Sequence, residues 1–226
     1  MHRRRYLQSV AAAGVAGAAG CLDSLPTGDR RTALEAPETD LSGAPHPSHG
    51  DDVPSVSLPD PLLGEEISID GFEGDRTLLM TFIYTNCPDG MCPALTLRLR
   101  RAQAVAAEGG YGDEVAFLAT TFDPERDTAE TLREYGREQG VDLDAGNWHF
   151  LRPERYEAGA ELIEEDFGLP IEKVETEEFE NLEYGFPHYN LILLVNSGGV
   201  VERAYPNGAT VDVGTVVSDF ETVVNG

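Results

Sequence analysis

Two runs of mostly apolar residues mark the centre of the chain, TLLMTFIY at 77–84 and EVAFLATTF at 114–122. Each run has the length of one β-strand and carries apolar side chains at odd and even positions alike. That pattern is typical of a central strand whose two faces are both covered by helices. A shorter strand is predicted over 147–151, where Trp148 would enter the core and His149 would face solvent.

Helices are predicted in the segments that separate and follow these strands. Residues 93–107 have a proline in the first turn and are followed by a Gly-Gly pair, which favours a helix with defined ends. The next helix ends near Gln139, and we interpret Asp127 as its N-cap because Glu130 would complete a capping box. A third helix is predicted over 154–167.

The last part of the chain predicts a hairpin. A strand over 188–196 meets a Ser-Gly-Gly turn, and the apolar segment 200–205 returns antiparallel to it. The acidic residues over 171–186 predict a loop or a hairpin, and residues 210–223 predict a C-terminal helix. The whole order predicts an α/β fold, with a mostly parallel central sheet, an antiparallel edge hairpin and helices on both faces.

Charge narrows the possible partners. The 226 residues include 41 acids and only 16 lysines and arginines, so the formal net charge is −25. Such a surface repels phosphate backbones, which excludes nucleic acid as a partner. Acids spread along nearly the whole chain favour a hydrated surface adapted to high salt, as in a halophilic archaeon, because salt screens their mutual repulsion.

The N-terminus resembles an export signal. Arg3 and Arg4 begin a string similar to a twin-arginine signal, and the small apolar residues that follow are too few to span a bilayer. The residues just before Cys21 resemble a lipobox, so we expect residues 1–20 to be removed and Cys21 to carry a lipid. The protein would then lie outside the cytoplasm, tethered to the outer face of the cytoplasmic membrane.

Composition also divides the remainder of the chain. Residues 21–60 are rich in Pro, Gly, Ser and Asp and show no apolar period, which predicts a flexible linker. Regular elements begin near residue 61, so a single folded domain is predicted over 61–226.

The candidate chemistry lies in the string TNCPDGMCP, between the first central strand and the helix after it. Ligands of open α/β sheets bind at such carboxyl ends of strands. Backbone N–H groups at a helix start stabilise a thiolate, and we expect Cys92 to benefit more than Cys87. A thiolate is both the nucleophile of disulfide exchange and a ligand for a soft ion such as Cu(I).

Other side chains leave two interpretations open on their residues alone. His188 is either a third donor to a metal ion or a histidine that caps a strand through backbone hydrogen bonds. Asp123 is either a group that tunes the ligands or a turn-forming residue before Pro124. Met91 either packs in the core or makes an auxiliary contact with copper.

Four stretches in a consistent order resemble the Sco/SenC family. The first is YTNCPDGMCP at 84–93, which is similar to the copper-site motif of that family. The second is an Asp-Pro-x-x-Asp-Thr stretch at 123–128, and the third is NWHFL at 147–151. The fourth is a single histidine, His188, that follows an acidic segment. The resemblance covers roughly residues 55–226.

This resemblance implies a thioredoxin-like fold and a copper ion bound by Cys87, Cys92 and His188. It also implies a metallochaperone that delivers copper to the binuclear site of a copper-bearing cytochrome c oxidase subunit, or reduces the cysteines of that site. The alternative is a membrane-tethered thiol-disulfide oxidoreductase in which Cys87 and Cys92 form a redox pair without an essential metal.

The chain departs from the family pattern at two places. Four residues separate Cys87 from Cys92, where three are usual, and we expect Gly90 to absorb the extra residue through an unusual backbone conformation. The residues around His188 read Pro-His-Tyr-Asn instead of the usual Asp-His-Ser.

Overall fold

A computed structural model describes residues 32–175, 183–187 and 189–226 of the chain. The described strands are β1 (Ser57–Asp60), β2 (Glu65–Ser68), β3 (Thr77–Ile83), β4 (Val115–Thr121), β5 (Trp148–Leu151), β6 (Val174–Glu175), β7 (Tyr184–Gly185), β8 (Ile192–Val195) and β9 (Val201–Tyr205). The described helices are α1 (Met91–Gly109), α2 (Ala129–Glu138), α3 (Tyr156–Phe167) and α4 (Val213–Val224), with short 3-10 turns between some elements.

The central sheet has the strand order β5-β4-β3-β8-β9. Strands β3, β4 and β5 are parallel, whereas β8 runs antiparallel to β3 and β9 antiparallel to β8. Every residue of β3 and β4 is buried, as their apolar sequences predict. The predicted mostly parallel sheet with an antiparallel edge hairpin is therefore confirmed.

Helices cover both faces of this sheet. On one face, Phe117 of β4 packs against Phe220 of α4 with ring centroids 5.7 Å apart. Phe117 is the register partner of Leu79, and because side chains alternate along a strand, Phe82 points to the opposite face. There Phe82 packs against Phe167 of α3 at 4.9 Å. The core thus lies in two layers around β3 and β4.

The small elements differ from the sequence expectations in detail. Strand β8 is shorter than the predicted 188–196, and α1 begins two residues before the predicted 93. The acidic segment contributes β6 and β7, which pair antiparallel. The C-terminal helix predicted over 210–223 is present as α4, which Asp212 caps by accepting the N–H of Thr215 at 3.0 Å.

Trp148 is buried as predicted, but the prediction that His149 faces solvent is wrong. His149 is only 6% exposed, and its Nδ1 lies 3.3 Å from the carboxylate of Asp60 in β1. The ring of Phe72 also packs on it, with centroids 5.6 Å apart. The hairpin of β1 and β2 covers this face of β5, so both faces of a short strand are buried.

The interpretation of Asp127 as a helix cap is also wrong. The N-cap of α2 is Thr128, whose side-chain oxygen accepts the N–H of Thr131 at 3.2 Å. Asp127 is completely buried, and its side chain accepts hydrogen bonds from Thr85 and Thr121 instead of from the first turn of α2.

The segment predicted as a flexible linker over 21–60 is described from residue 32, and from there it packs on the domain. Residues 57–60 form β1, which pairs with β2, and Val56 and Leu58 are buried in the core. The segment is rich in Pro and Gly, but its few apolar side chains pack against the core of the domain. The folded unit therefore extends to the N-terminal side of residue 61.

A buried carboxylate fixes the start of this segment, and we call this contact the Glu202 clamp. Glu202 of β9 has no exposed surface and accepts the N–H groups of Ala33 and Leu34, each at 2.9 Å. The side-chain amide of Asn196 donates to the same carboxylate at 2.6 Å. Hydrogen bonds to a charged acceptor are stronger than neutral ones, so the clamp holds the chain against the sheet edge.

Within the described residues, no helix is both long and apolar enough to cross a membrane. The predicted signal segment 1–20, Cys21 and His188 all lie outside the described residues.

Candidate functional site

The candidate site is the loop between β3 and α1, which carries both described cysteines. The loop ends at Gly90, whose backbone is left-handed with φ of 76° just before the helix begins. Glycine adopts this conformation without the steric cost that a Cβ would add, as expected for the position that absorbs the extra residue. Asp89 accepts the N–H of Met91 at 3.0 Å and so closes the turn into the helix.

The two cysteines are held close together as free thiols. The backbone N–H of Cys92 donates to Sγ of Cys87 at 3.2 Å, and the N–H of Tyr84 donates to Sγ of Cys92 at 3.4 Å. The thiol of Cys87 in turn donates to the Asp89 carboxylate at 2.8 Å. Cys87 is half-buried, whereas Cys92 has no exposed surface.

This arrangement reverses the expectation that the helix start favours a thiolate at Cys92. Burial raises the pKa of the Cys92 thiol well above its ordinary value, and its contact with Cys87 raises it further. The N–H of Cys92, in the first helical turn, donates to Cys87 instead. Cys87 is therefore the accessible sulfur, and Cys92 is the protected one.

A buried carboxylate supports the start of the loop. Asp127 accepts the N–H of Thr85 at 3.2 Å, and it also accepts the hydroxyl groups of Thr85 and Thr121. Burial raises the pKa of Asp127 to about 6. The sequence held one signal for this contact, because the two threonines lie at the carboxyl ends of strands predicted to be parallel neighbours.

Asp123 supports a different segment. It is completely buried, and its carboxylate accepts a hydrogen bond from the Arg126 guanidinium and another from the Tyr184 hydroxyl at 3.0 Å. Within the described residues these bonds lead to β7 and not to the cysteines, so a role in tuning the ligands stays a prediction. Burial raises the pKa of Tyr184 to about 12, and the bond to Asp123 acts in the same direction.

Two cations enclose the ring of Tyr184. The guanidinium of Arg126 and Nζ of Lys173 each lie 3.7 Å from its ring centroid. Each such cation–π contact contributes about 0.5–2 kcal/mol, depending on solvation. The segment 183–187 is thereby fastened to the turn that follows β4.

An aromatic cluster joins the same segment to the cysteine loop. The ring of Phe186 packs edge-on against Tyr84 at 5.2 Å and against Phe122 at 5.3 Å. Tyr84 is the residue whose N–H holds Cys92. The chain up to Pro187 therefore lies beside the cysteine loop, while the placement of His188 as a third ligand stays a prediction.

In residues 32–175, 183–187 and 189–226, no three His, Cys, Asp or Glu side chains group into a metal site. The described donors are the two sulfur atoms of Cys87 and Cys92. Sulfur ligands of this kind suit a soft ion such as Cu(I), and the same pair suits dithiol chemistry. Met91 is half-buried and packs against the core, in line with its packing interpretation.

Several solved structures similar to this chain are Sco proteins. BsSco, described as a member of the Sco family of cytochrome c oxidase assembly proteins with a disulfide switch, is 20% identical with a TM-score of 0.59. The match covers 78% of this chain and 95% of BsSco.

Two of the similar structures contain copper. ScoI of Bradyrhizobium japonicum with copper bound is 23% identical with a TM-score of 0.56, covering 76% of this chain and 99% of that one. ScoI of Arabidopsis thaliana with copper bound is 19% identical with a TM-score of 0.58, covering 79% and 100%. At these identities the likeness shows the fold.

Among curated protein sequences, none matches this chain significantly. The family model of SCO1/SenC matches residues 62–225, which is most of the chain and includes the cysteine loop, both supporting aspartates and the β8–β9 hairpin. The chain therefore belongs to the SCO1/SenC family.

Proposed function

We propose that this protein is a metallochaperone that binds copper and delivers it to the binuclear site of a cytochrome c oxidase subunit, or reduces the cysteines there. The observation that carries the proposal is the pair of free thiols, with Sγ of Cys87 held 3.2 Å from the backbone N–H of Cys92. Relatives of the same fold are described as copper-bound or as oxidase assembly proteins, which supports it.

The donor set fits Cu(I) as cargo. Two thiolates from Cys87 and Cys92 leave a cuprous ion with room for one more ligand, and His188 is the donor we propose. Binding requires both thiols to lose their protons, so copper uptake releases protons. The thiol of Cys87 already points its proton at the exposed carboxylate of Asp89.

The unequal exposure of the two sulfurs suits transfer to a partner. Cys87 is half-buried, so an incoming ligand from a recipient protein can reach it, while Cys92 stays enclosed by the core. We propose that exchange begins at Cys87, and that Cys92 and His188 hold the ion until the recipient has supplied its own ligands.

Anaerobic titration of the reduced protein with Cu(I), against a chromophoric Cu(I) chelator, tests this proposal. We expect one equivalent to bind, and Cys87→Ser or Cys92→Ser to abolish binding. Cys21→Ser, which removes the remaining cysteine, is the matched control and should keep one equivalent. Full affinity in both Cys87→Ser and Cys92→Ser would overturn the proposal.

A second candidate is a thiol-disulfide oxidoreductase, favoured by the pairing of an accessible and an enclosed thiol. The Cys87 thiolate would attack a partner disulfide and release one partner thiolate. Cys92, once deprotonated, would then attack Sγ of Cys87 and release the second. After these two steps this protein contains a Cys87–Cys92 disulfide, and the partner has gained two electrons. His188→Ala separates the candidates, because it should lower Cu(I) affinity strongly yet leave most reductase activity.

For localisation we propose export with a lipid on Cys21, which tethers the domain to the outer face of the cytoplasmic membrane. The twin-arginine string and lipobox-like residues of the sequence support this. The acid-rich surface further supports operation in a salty exterior.

A further inference from the structure

The contacts of Asp127 suggest a role that the family resemblance does not assign to it. Its carboxylate is completely buried, and no described lysine, arginine or histidine forms an ion pair with it. The neighbouring Arg126 turns to Asp123 instead. A buried carboxylate without a cation is costly, so its hydrogen-bond donors must hold it in place.

The hydrogen-bond donors to Asp127 lie at the carboxyl ends of two neighbouring strands, β3 and β4. Thr121 is the last residue of β4, and its hydroxyl donates to Oδ2 of Asp127. Thr85 follows β3, and both its N–H and its hydroxyl donate to the same carboxylate. Asp127 thereby joins the end of β4 to the first residues of the cysteine loop.

The position of Thr85 matters because it lies two residues before Cys87. The preceding N–H, from Tyr84, donates to Sγ of Cys92. Two consecutive backbone groups thus fix where the chain leaves β3, one against a cysteine and one against Asp127. Beyond them, residues 86–90 are exposed except for the half-buried Cys87, so the path of the loop depends on its anchored ends.

We propose that Asp127 is a positioning residue for the cysteine loop, which it holds through Thr85 so that Sγ of Cys87 stays at the N–H of Cys92. The observed bonds belong to the free-thiol state, so loosening them lets the loop close more easily into a disulfide. A looser loop must also be ordered when a metal binds, which weakens the affinity. The copper part of this inference rests on the proposed function, whereas the disulfide part stands alone.

The test compares Asp127→Asn with the unchanged protein in two measurements. In glutathione buffers, we expect the Cys87–Cys92 disulfide to be favoured about tenfold more, which corresponds to about 30 mV. In the chelator competition, we expect the Cu(I) Kd to rise about tenfold. The amide keeps the shape of the side chain but places an N–H₂ group against donors, so at most part of the anchoring survives.

Two substitutions at Thr85 keep the inference testable if Asp127→Asn folds poorly. Thr85→Val removes the hydroxyl donor and should shift both equilibria about threefold in the same direction. Thr85→Ser keeps the hydroxyl and should restore the original values. Glu202→Gln, which alters another fully buried carboxylate far along the sheet, controls for general loss of stability and should change neither equilibrium.

The outcomes separate this inference from the proposed function. An unchanged protein that binds no Cu(I) refutes the proposed function, and the disulfide measurement still decides about Asp127. Unchanged disulfide and copper equilibria in both Asp127→Asn and Thr85→Val would overturn the positioning role. An equal shift in Glu202→Gln would also overturn it, because the effect would then come from stability alone.

Discussion

Replacing Asp127 by asparagine should remove one specific pH dependence of folding stability. Burial raises the pKa of this carboxyl from 3.8 to about 6, with Asp123 adding to the rise and the hydroxyls of Thr121 and Thr85 opposing it. The folded state therefore binds the proton more tightly than the unfolded state. Between about pH 4 and pH 6, folding takes up a proton at this site, so the contribution of Asp127 to stability falls as the pH rises.

The size of the effect follows from the shift. At about 1.4 kcal/mol for each pKa unit, a rise from 3.8 to about 6 corresponds to about 3 kcal/mol. Solvent does not screen the interactions of the Asp127 side chain, because this side chain has no exposed surface. The Asp127→Asn variant does not titrate at this position. Its free energy of unfolding, relative to that of the unchanged protein, should therefore rise by about 2.5 kcal/mol between pH 4 and pH 7.5, because part of the full effect is already lost at pH 4.

Urea denaturation of both proteins at pH 4, 5, 6 and 7.5, at one fixed salt concentration, measures this difference. Subtracting the two curves removes the pH dependence that both proteins share, so the difference reports the loss of the Asp127 carboxyl. Thr121→Val is an informative second variant. Its hydroxyl lowers the pKa of Asp127, so its loss should shift the pH range of the stability change upward. Parallel stability curves for the unchanged protein and Asp127→Asn would refute the reasoning.

Two further predictions follow from the same structure. In the Cys21→Ser background, iodoacetamide should modify Cys87 first, and adding Cys87→Ser should slow the reaction at least about tenfold, because the remaining Cys92 has no exposed surface and a raised pKa. Peptide mass spectrometry measures this, and equal rates would contradict the assignment of the accessible sulfur. Gly168→Ala should unfold more easily than Gly90→Ala, by at least about 2 kcal/mol in denaturation. Both glycines have positive φ, but only at Gly168 would a Cβ meet backbone, at 2.1 Å from the carbonyl oxygen of Pro45. Equal losses would refute the packing of Pro45 there.

The sequence predicted the sheet and its helices because their signals are local. Residues 77–83 and 115–121 are buried on both faces, so their apolar runs needed no knowledge of neighbours. The unusual backbone conformation of Gly90 could also be predicted from the sequence, because glycine is the residue of this loop that best accommodates one extra position before the helix. The pairing of Cys87 with Cys92 followed from their spacing in one short loop.

What the sequence did not predict depends on contacts between distant residues. Asp127 fits the pattern of a helix cap, and only the fold brings Thr85, 42 residues away, to its carboxylate. The linker composition of residues 32–60 gave no sign that Glu202 would bind its backbone. The same limit explains why the sequence did not predict that Cys92 is buried while Cys87 stays accessible. The core that encloses Cys92 is assembled from several elements.

The Glu202 clamp sets the reach of the domain. With a lipid on Cys21, as we propose, only the 11 residues 22–32 separate the membrane anchor from Ala33, where the clamp begins. A fully extended segment of that length spans at most about 40 Å, whereas a linker free up to residue 60 would span about 130 Å. A short leash of this kind keeps the clamped end of the sheet, level with the start of β3, close to the membrane surface, whereas the cysteine loop follows the opposite end of β3 and lies away from the clamp.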